Sequence, residues 1–503
     1  MRWNRIVALG LALTSCGGGN SSSPKWRDIA AKCAVPRTGI DPVTGQPYPD
    51  KQATLNDEKT WLRAWIDDTY LWYSEVPAVD PAQYTSVTAY FDKLKTTQKT
   101  SSGNDKDRFH FWYTTADWEQ LSTAGVEVGY GITFAALHRS PPRQYVVAYV
   151  EPGSPADGKL SRGMEIRFVD GADLVNGNTQ ADIDKLNAGL FPANAGEVHT
   201  FTVVDLSGTQ LPDIQLTAAA VTSNPVPDAH VITSGTAKIG YLLFNDHVAT
   251  AEKKLFDAIA ALQAQTVTDL VLDIRYNGGG YLAIASEIAY MIAGASRTSG
   301  KTFEELKFND KYPSTDPITG HKISPTPFYN QTLGFSAQSG TALPSLNLSR
   351  VFVLTGSGTC SASESILNSL DGVGVQVIQI GATTCGKPYG FYPEDNCGTT
   401  YFAIQFKGVN AKGFGDYSDG FYPAPTAVQA GFPGCPIADD FTHALGDPGE
   451  NRLEVALNYA ATGSCGTPTA NALTRASGLR GDGEVLKSVW RQNRILGLPG
   501  GRR

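Results

Sequence analysis

The chain of 503 residues has little basic charge, no long apolar segment beyond its first residues and no metal-binding motif. Its net charge of −8 and pI near 5.5 argue against nucleic-acid binding, because phosphate recognition needs a basic face. The seven histidines are scattered, and neither HExxH nor CxxC spacing occurs, so we expect no metal and no cofactor. No run after residue 24 reaches the ~18 apolar residues that a membrane-spanning helix needs.

The first residues differ from the rest of the chain. Arg2 and Arg5 precede a short apolar run, and small residues then lead to Cys16. This pattern predicts a secretory signal peptide over residues 1–15. The ending Leu-Thr-Ser-Cys resembles a bacterial lipobox, which implies acylation of Cys16 and anchoring to the lipid bilayer of the bacterial cell envelope, at the periplasmic face or the outer membrane. An ordinary signal peptide with an incidental cysteine is the alternative interpretation.

Composition and periodicity divide the rest of the chain into units and predict a multidomain α/β protein. Apolar and aromatic residues follow helical spacing over 56–73, short strands with turn residues follow from about 125, and strands alternate with helices after that. The predicted units are a tether and lead-in over 16–50, a helical N-terminal domain over 51–124, a β-rich domain over 125–222, an α/β core over 223–465 with a polar insertion over about 295–347, and a C-terminal tail over 466–503.

Six cysteines remain once Cys16 is assigned to the lipid. An even number in an exported chain favours disulfides, and six cysteines allow 15 pairings. They are Cys33, Cys360, Cys385, Cys397, Cys435 and Cys465.

The β-rich domain opens with a glycine loop formed by Gly129, Tyr130, Gly131 and Ile132. A strand follows, and then the segments Gly-Ser-Pro-Ala and Gly-Met-Glu-Ile. This order of features resembles a PDZ domain. The resemblance implies that a peptide binds as an added strand while the loop amides receive its terminal carboxylate. A plain β-domain is the alternative, since glycine-rich turns are common.

A second glycine loop follows a buried strand in the α/β core and reads Asp-Ile-Arg-Tyr-Asn-Gly-Gly-Gly over residues 273–280. Three glycines let the backbone approach a ligand, and their N–H groups can hold a phosphate or the oxyanion of an acyl-transfer intermediate. A Walker loop would end in Gly-Lys-Ser/Thr, whereas Tyr281 follows here, so phosphate binding is weakly supported. A tight strand–helix turn is the alternative.

Ser361 and Glu364 have the spacing of a helix capping box, which is one interpretation of this segment. The other hypothesis makes Ser361 a nucleophile at the positive end of a helix, with the Ala362 N–H as an oxyanion donor. No histidine is near in sequence, but a lysine can act as the base if burial lowers its pKa from about 10.4 toward 7 or 8. Lys387 is the candidate, and a solvated turn lysine is its alternative.

Together, the glycine loop, Ser-Ala-Ser-Glu and a Gly-Lys pair resemble the carboxyl-terminal processing peptidases. The resemblance covers about 56–465. It implies a serine-type endopeptidase with a ClpP/crotonase-like α/β core that acts on polypeptides, captures their C-terminal segments through the PDZ-like domain and needs no cofactor. Residue by residue, it implies Ser361 as nucleophile, Lys387 as general base, and the amides of Gly279 and Ala362 as the oxyanion hole.

The chain departs from the family pattern at Phe391, where family members often carry a glutamine that orients the lysine. Either another group positions Lys387, or packing does. Phe391 also favours the main alternative, an envelope peptide-binding protein that keeps the fold but has lost turnover. A glycan or small-molecule hydrolase is a third hypothesis, weakened because no Gly-x-Ser-x-Gly surrounds Ser361.

One disulfide follows from this hypothesis. Cys360 precedes the proposed nucleophile, and Cys385 lies two residues before the proposed base, so the two cysteines must be close if serine and lysine are within hydrogen-bond reach. Such a bridge would close a loop of about 26 residues and contribute roughly 3 to 4 kcal/mol in the chain-entropy model. Pairing of Cys385 with Cys397 is the alternative.

Overall fold

The computed structural model describes residues 25–42, 44–124, 126–466, 479, 481–486 and 494–496. The predicted signal peptide and Cys16 therefore lie outside the described residues. Across the described ranges, none of the helices has the length and apolar character needed to cross a bilayer. The fold is multidomain and α/β, as the sequence predicts.

The N-terminal helices bury an aromatic face. The main helix starts after Thr54, whose hydroxyl caps the Asp57 N–H while the Asp57 carboxylate accepts from the Thr54 N–H, and it buries Trp61 and Trp65. The elements of this part are η1 (Trp26–Ile29), β1 (Lys32–Cys33), β2 (Lys51–Gln52), α1 (Leu55–Thr69), η2 (Tyr73–Glu75), η3 (Pro81–Gln83), α2 (Val87–Phe91), β3 (Phe111–Thr114) and α3 (Thr115–Ala124).

This aromatic core is shared with the far end of the chain. Trp61 and Trp65 both pack near Tyr401, and Phe111 packs on Phe391 and Phe402. The N-terminal part therefore has no separate core among the described residues, and it buttresses the segment that follows Lys387.

The β-rich part forms one antiparallel sheet with a helix against it. Its elements are β4 (Val126–Gly129), β5 (Ile132–His138), β6 (Gln144–Val150), β7 (Glu165–Val169), β8 (Ala172–Asp173), α4 (Gln180–Leu190), β9 (Val198–Val204), β10 (Ile214–Thr217) and β11 (Ala219–Thr222). The strand order is β10-β9-β7-β6-β5, with β8 beside β7, and β4 pairs separately with β11. A short strand from the C-terminal tail continues this sheet beyond β5.

The remaining elements alternate strands and helices. They are β12 (Asp228–Ser234), β13 (Ala237–Leu243), α5 (Ala251–Ala264), β14 (Asp269–Asp273), β15 (Gly279–Tyr281), α6 (Leu282–Ala293), α7 (Ala295–Thr298), β16 (Thr302–Lys307), β17 (Thr326–Pro327), β18 (Arg350–Thr355), α8 (Ala362–Gly372), β19 (Gln376–Gly381), β20 (Tyr389–Gly390), β21 (Glu394–Asn396), β22 (Thr399–Phe402), β23 (Phe406–Val409), β24 (Tyr422–Ala424), β25 (Gly431–Cys435), α9 (Asn451–Thr462), β26 (Glu484–Leu486) and β27 (Arg494–Leu496).

The central sheet has the order β12-β13-β14-β18-β19-β25-β24 and is parallel except for the β12–β13 hairpin. Successive strand residues face opposite layers, so Leu242 and Leu272 pack under α5, α6 and α8, while Tyr241 and Val271 pack under α9. Burial on both faces explains why these strands are continuous apolar runs.

The sequence also predicts that the α/β core takes strands from both sides of the β-rich domain, and for the central sheet this expectation is wrong. All seven strands come after residue 227. Among the described strands before the β-rich domain, β3 pairs with the later chain, joining β22 in a separate three-stranded sheet. The reason is the aromatic pattern of β3, whose phenylalanine and tyrosine rings pack with Phe402 instead of with the central aliphatic layers.

The six cysteines form three disulfides. Cys360 is bonded to Cys385, so the predicted bridge is confirmed and the alternative pairing of Cys385 with Cys397 is wrong. The other two bridges join Cys33 to Cys397 and Cys435 to Cys465.

Candidate active site

The three loops singled out in the sequence leave the same edge of the central sheet. The glycine loop follows β14, the turn carrying Ser361 follows β18, and the segment carrying Lys387 follows β19. These are neighbouring parallel strands, aligned with Asp273 beside Leu354 and Leu354 beside Ile380. Ligands of open α/β sheets bind at the carboxyl ends of the strands, which is where these loops meet.

Ser361 occupies a strained backbone position directly before α8. Its φ of 62° and ψ of −121° lie in a region that a side chain enters only at a cost of about 1–3 kcal/mol. Ser361 is fully buried, and its hydroxyl has no hydrogen-bond partner among the described residues. A strained backbone at a residue whose buried hydroxyl makes no structural hydrogen bond is typical of a functional residue.

The turn has the capping-box arrangement that its spacing predicts, although the serine hydroxyl lacks a hydrogen bond of ordinary geometry. The Ser361 N–H donates to Glu364 Oε2 at 2.9 Å, as a capping box requires. The Glu364 N–H donates to the Ser361 carbonyl at 2.8 Å. The Ala362 N–H, as the first amide of α8, has no acceptor four residues back within the helix.

Glu364 joins the serine turn to the lysine segment. Besides the Ser361 amide, its carboxylate accepts from the backbone N–H groups of Gly386 and Lys387, each at 2.8 Å, and from the Thr384 hydroxyl at 2.5 Å. Burial raises the pKa of Glu364 above its ordinary value, although these four donors act in the opposite direction. Together with the Cys360–Cys385 disulfide, whose Cα atoms lie 5.1 Å apart, Glu364 fixes the two loops against each other.

We expect Glu364→Gln to lower peptide hydrolysis by roughly 10- to 100-fold at neutral pH, since the amide nitrogen cannot accept from the loop N–H groups. In the wild type, protonation of this carboxyl removes acceptor capacity, so activity should fall on the acid side at a pH above the ordinary carboxyl pKa of 4.5. The measurement is a pH–rate profile for both proteins, with circular dichroism to confirm folding. Wild-type activity that persists below pH 4.5 would contradict this role.

Lys387 is fully buried, so the interpretation as a solvated turn lysine is wrong. Its ammonium nitrogen lies 4.2 Å from the centre of the Phe391 ring and 4.9 Å from that of Phe109. Phe391 is itself held by ring contacts with Phe111 and Phe402, at 5.6 and 5.3 Å. The residue that replaces the glutamine of the family pattern thus contacts the lysine through its ring, and packing positions the side chain.

The glycine loop approaches His247 closely. A Cβ on Gly280 would lie 2.5 Å from the His247 carbonyl oxygen, so only glycine fits there. Gly279 has a φ of 94°, and its N–H donates to the Asn277 side-chain oxygen at 3.0 Å. Of the two predicted oxyanion donors, the Ala362 amide thus has no helical acceptor, whereas the Gly279 amide is bonded to Asn277 in this structure.

Asn277 connects the glycine loop to the serine turn, a role that the sequence did not predict. Its side-chain nitrogen donates to the Phe244 carbonyl at 2.9 Å, and its backbone carbonyl accepts from the Cys360 N–H and the Ser363 hydroxyl at 3.1 and 3.0 Å. In the sequence, the available indication of this role was an asparagine four residues after the end of a buried strand. Its hydrogen-bond partners, which only the folded structure shows, identify the role.

Arg275 anchors the base of the glycine loop in a buried ion network. Its guanidinium contacts Asp273 and Asp439 and makes a paired contact with Glu450 at 2.9 Å, and these carboxylates hold its pKa well above the ordinary value against the cost of burial. Asp439 also binds Arg162 of the β-rich part at 2.7 Å. The network therefore couples the β-rich part to the glycine loop.

The loop predicted to bind peptide lies at the start of β5. Gly129 ends β4 and Ile132 begins β5, while Gly131 has a φ of 76° and would clash with Ser154 if it carried a Cβ. Tyr130 is buried, and its hydroxyl donates to the Gly189 carbonyl of α4 at 3.0 Å. The tyrosine side chain is thus structural, and the backbone of the loop is the part that could contact a ligand.

Within the described ranges, one group of side chains has metal-ligand spacing, namely Cys360, Glu364 and Cys385. Its two sulfurs are joined in a disulfide and carry no thiolate, so this group does not constitute a metal site.

The fold is thus an α/β protein with a mostly parallel sheet, and its candidate site holds a serine in a strained turn directly before a helix. The chain matches the model of "Peptidase family S41" over residues 238–390 and that of "Peptidase S41 N-terminal domain" over residues 57–111. These matches make the chain similar to peptidase family S41 over its α/β core and part of its N-terminal region. The three loops lie within the first match, and most of α1 and all of α2 lie within the second.

Individual relatives agree with these matches. The chain is 26% identical over 265 residues to carboxyl-terminal-processing peptidase 3, chloroplastic, of Arabidopsis thaliana, an alignment covering 49% of this chain and 44% of the relative. It is 31% identical over 145 residues to a carboxyl-terminal-processing protease of Picosynechococcus, covering 27% and 32%. The alignments thus span less than half the length of these relatives.

A solved structure shares the overall architecture. The crystal structure of a putative S41 protease from Bacteroides fragilis matches with a TM-score of 0.59 and 21% identity, covering 83% of this chain and 98% of that one. At this identity the likeness supports the fold.

Proposed function

We propose that this chain is a serine endopeptidase in which Ser361 attacks the peptide carbonyl and Lys387 serves as general base. The observation that carries the proposal is the strained, buried Ser361, whose hydroxyl has no structural hydrogen bond, in a turn tied by Glu364 and a disulfide to the segment of the buried Lys387. The match to the model of a peptidase family supports hydrolysis of polypeptides.

In the proposed mechanism, the neutral Lys387 amine takes the Ser361 proton as the serine oxygen bonds to the peptide carbonyl carbon. The Ala362 N–H stabilises the resulting oxyanion, and the Gly279 N–H joins it by exchanging its bond to Asn277 for one to substrate. Lys387 then protonates the leaving amine, and water hydrolyses the acyl-enzyme with the lysine again accepting a proton. No metal or cofactor enters these steps.

We also propose that the β-rich domain is PDZ-like and takes the C-terminal segment of a polypeptide as a strand beside β5. Two observations support this proposal. The glycine loop lies directly before β5, and the edge of β5 already pairs with a further strand, β26. The Arg162–Asp439–Arg275 contacts provide a rigid connection from this domain to the glycine loop. Anchoring through an acylated Cys16 stays a prediction.

The proposal is tested by incubating the purified chain with reduced, unfolded casein in the presence of a metal chelator and measuring new amino groups over time. We expect hydrolysis by the full chain and by a chain ending at residue 478, with cleavage sites identified by mass spectrometry. If neither folded form releases peptides, the proposal fails and the alternative of a peptide-binding protein without turnover takes its place.

A further inference from the structure

Two short strands of the C-terminal tail lie on the two surfaces that the proposed function assigns to the substrate. We call the described residues 481–486 and 494–496 the tail segment. The first part contains β26, which pairs with β5, and the second forms β27, which pairs with β15 in the glycine loop. We propose that the tail segment is a tethered peptide ligand that competes with substrate, an inference that rests on the proposed function.

The pairing of β26 with β5 has the polarity expected of a bound peptide. Glu484 lies opposite Ala136, Val485 opposite Ala135 and Leu486 opposite Phe134, so β26 is antiparallel and runs toward the Gly129–Ile132 loop. A peptide whose terminal carboxylate reaches that loop must run in the same direction. Without β26, β5 would present an open edge to any extended chain.

The side chains of β26 add apolar packing to its backbone pairing with β5. Leu486 packs against the core of the β-rich domain, and Val485 packs in the cluster that contains Ala135 and Tyr276. A Cβ on Gly483 would lie 3.0 Å from the Ala136 carbonyl oxygen, so glycine allows the tail to approach β5 closely.

The same strand reaches the turn that carries the nucleophile. A Cβ on Gly358 would lie 3.6 Å from Val485 Cβ, and Gly358 is three residues before Ser361. β26 therefore lies between the proposed peptide-binding strand and the serine turn, on the route that a substrate bound to β5 would take.

β27 pairs with the backbone of the glycine loop itself. Its residues Arg494, Ile495 and Leu496 pair in parallel with Gly279, Gly280 and Tyr281. Extended substrate pairs with backbone at a peptidase site, and here that backbone already has a partner strand from the same chain. This pairing is the most direct reason for calling the tail a competitor.

Further contacts hold the tail in place before β26. The Gly481 N–H donates to the Asp439 carbonyl at 3.1 Å, and the Phe441 N–H donates to the Leu479 carbonyl at 3.2 Å. Asp482 contacts Arg452, which is buried in the network around Asp439. The tail thus joins the ion network that supports the glycine loop.

A tethered ligand has a large advantage over a free peptide. Its effective concentration is on the order of millimolar. A segment with an intrinsic dissociation constant of ~0.1 mM would therefore give a ratio of occupied to empty sites of about ten. We therefore expect removal of residues 479–503 to raise kcat/KM for a peptide substrate about tenfold, chiefly through KM.

The activity test compares three proteins with the wild type. The chain ending at 478 and the full-length Val485→Asp variant should both gain activity, since a carboxylate at this partly buried apolar contact disfavours the docked strand. Glu484→Gln is the matched control, because its exposed ion pair with Arg139 contributes little, and we expect less than a twofold change. A folded Val485→Asp protein with wild-type KM would overturn the proposal.

A binding test keeps this inference separate from the proposed function. In a Ser361→Ala background, a fluorescent synthetic peptide of residues 479–496 should bind the chain ending at 478, as measured by anisotropy, and should bind the full chain at least tenfold more weakly. Equal binding to both forms, or binding to neither, refutes the tethered ligand. Because no turnover is involved, tail binding would stand even if no form hydrolysed casein.

Discussion

Replacing Ser361 by alanine is expected to reduce peptide hydrolysis to background, a loss of roughly 10⁴- to 10⁶-fold, while the protein remains folded. The hydroxyl makes no hydrogen bond within the described chain, so its removal leaves no partner unsatisfied. The backbone strain at this residue persists with any side chain, so alanine preserves the turn. Hydrolysis is measured with casein or a quenched peptide, and folding by thermal unfolding.

Ser363→Ala is the matched control for this prediction. Ser363 lies two residues away, is equally buried, and donates its hydroxyl to the Asn277 carbonyl at 3.0 Å. Its loss should lower the free energy of unfolding by about 1 kcal/mol and leave most of the activity. Should Ser363→Ala abolish hydrolysis and Ser361→Ala retain it, the nucleophile has been assigned to the wrong serine.

Local sequence predicted the loops of this site because each depends on residues that are close along the chain. The glycine run requires positive φ, and the buried strands before the loops read as continuous apolar segments. Adjacent parallel strands then bring the loops together, which is why the Cys360–Cys385 bridge could be predicted from the proposed proximity of Ser361 and Lys387.

Contacts between distant segments were not predictable in the same way. Glu364 has the spacing of a cap, and nothing local shows that it also accepts from Gly386, Lys387 and Thr384. The pairing of the tail with β5 and β15 depends on open edges that exist only after the domains have folded. The shared aromatic core around Phe391 likewise depends on tertiary packing.

That aromatic core changes how the departure at Phe391 is interpreted. The missing glutamine favoured a protein without turnover, because the group that often orients the lysine in the family pattern is absent. The structure places the Phe391 ring 4.2 Å from the lysine nitrogen and locks the ring with Phe111 and Phe402. Orientation of Lys387 can therefore rest on packing against rings that the N-terminal helices support.

The Lys387→Arg variant should hydrolyse peptide at least 10³-fold more slowly than the wild type, because a guanidinium stays protonated and cannot accept the serine proton. Arginine still stacks on the Phe109 and Phe391 rings, so we expect the unfolding midpoint to change little. Lys407→Arg is the control, since Lys407 is a partly exposed lysine paired with Asp416 and should keep wild-type activity.

The pH dependence of the wild type provides an independent check on the same residue. Only the neutral amine of Lys387 can take the proton, so kcat/KM should rise with increasing pH until the lysine is fully deprotonated. Lys387→Arg should show no such rise, because its side chain has no neutral form in this range. A folded arginine variant that keeps both wild-type activity and the wild-type pH profile would remove Lys387 from the mechanism and leave Ser361 in need of another base.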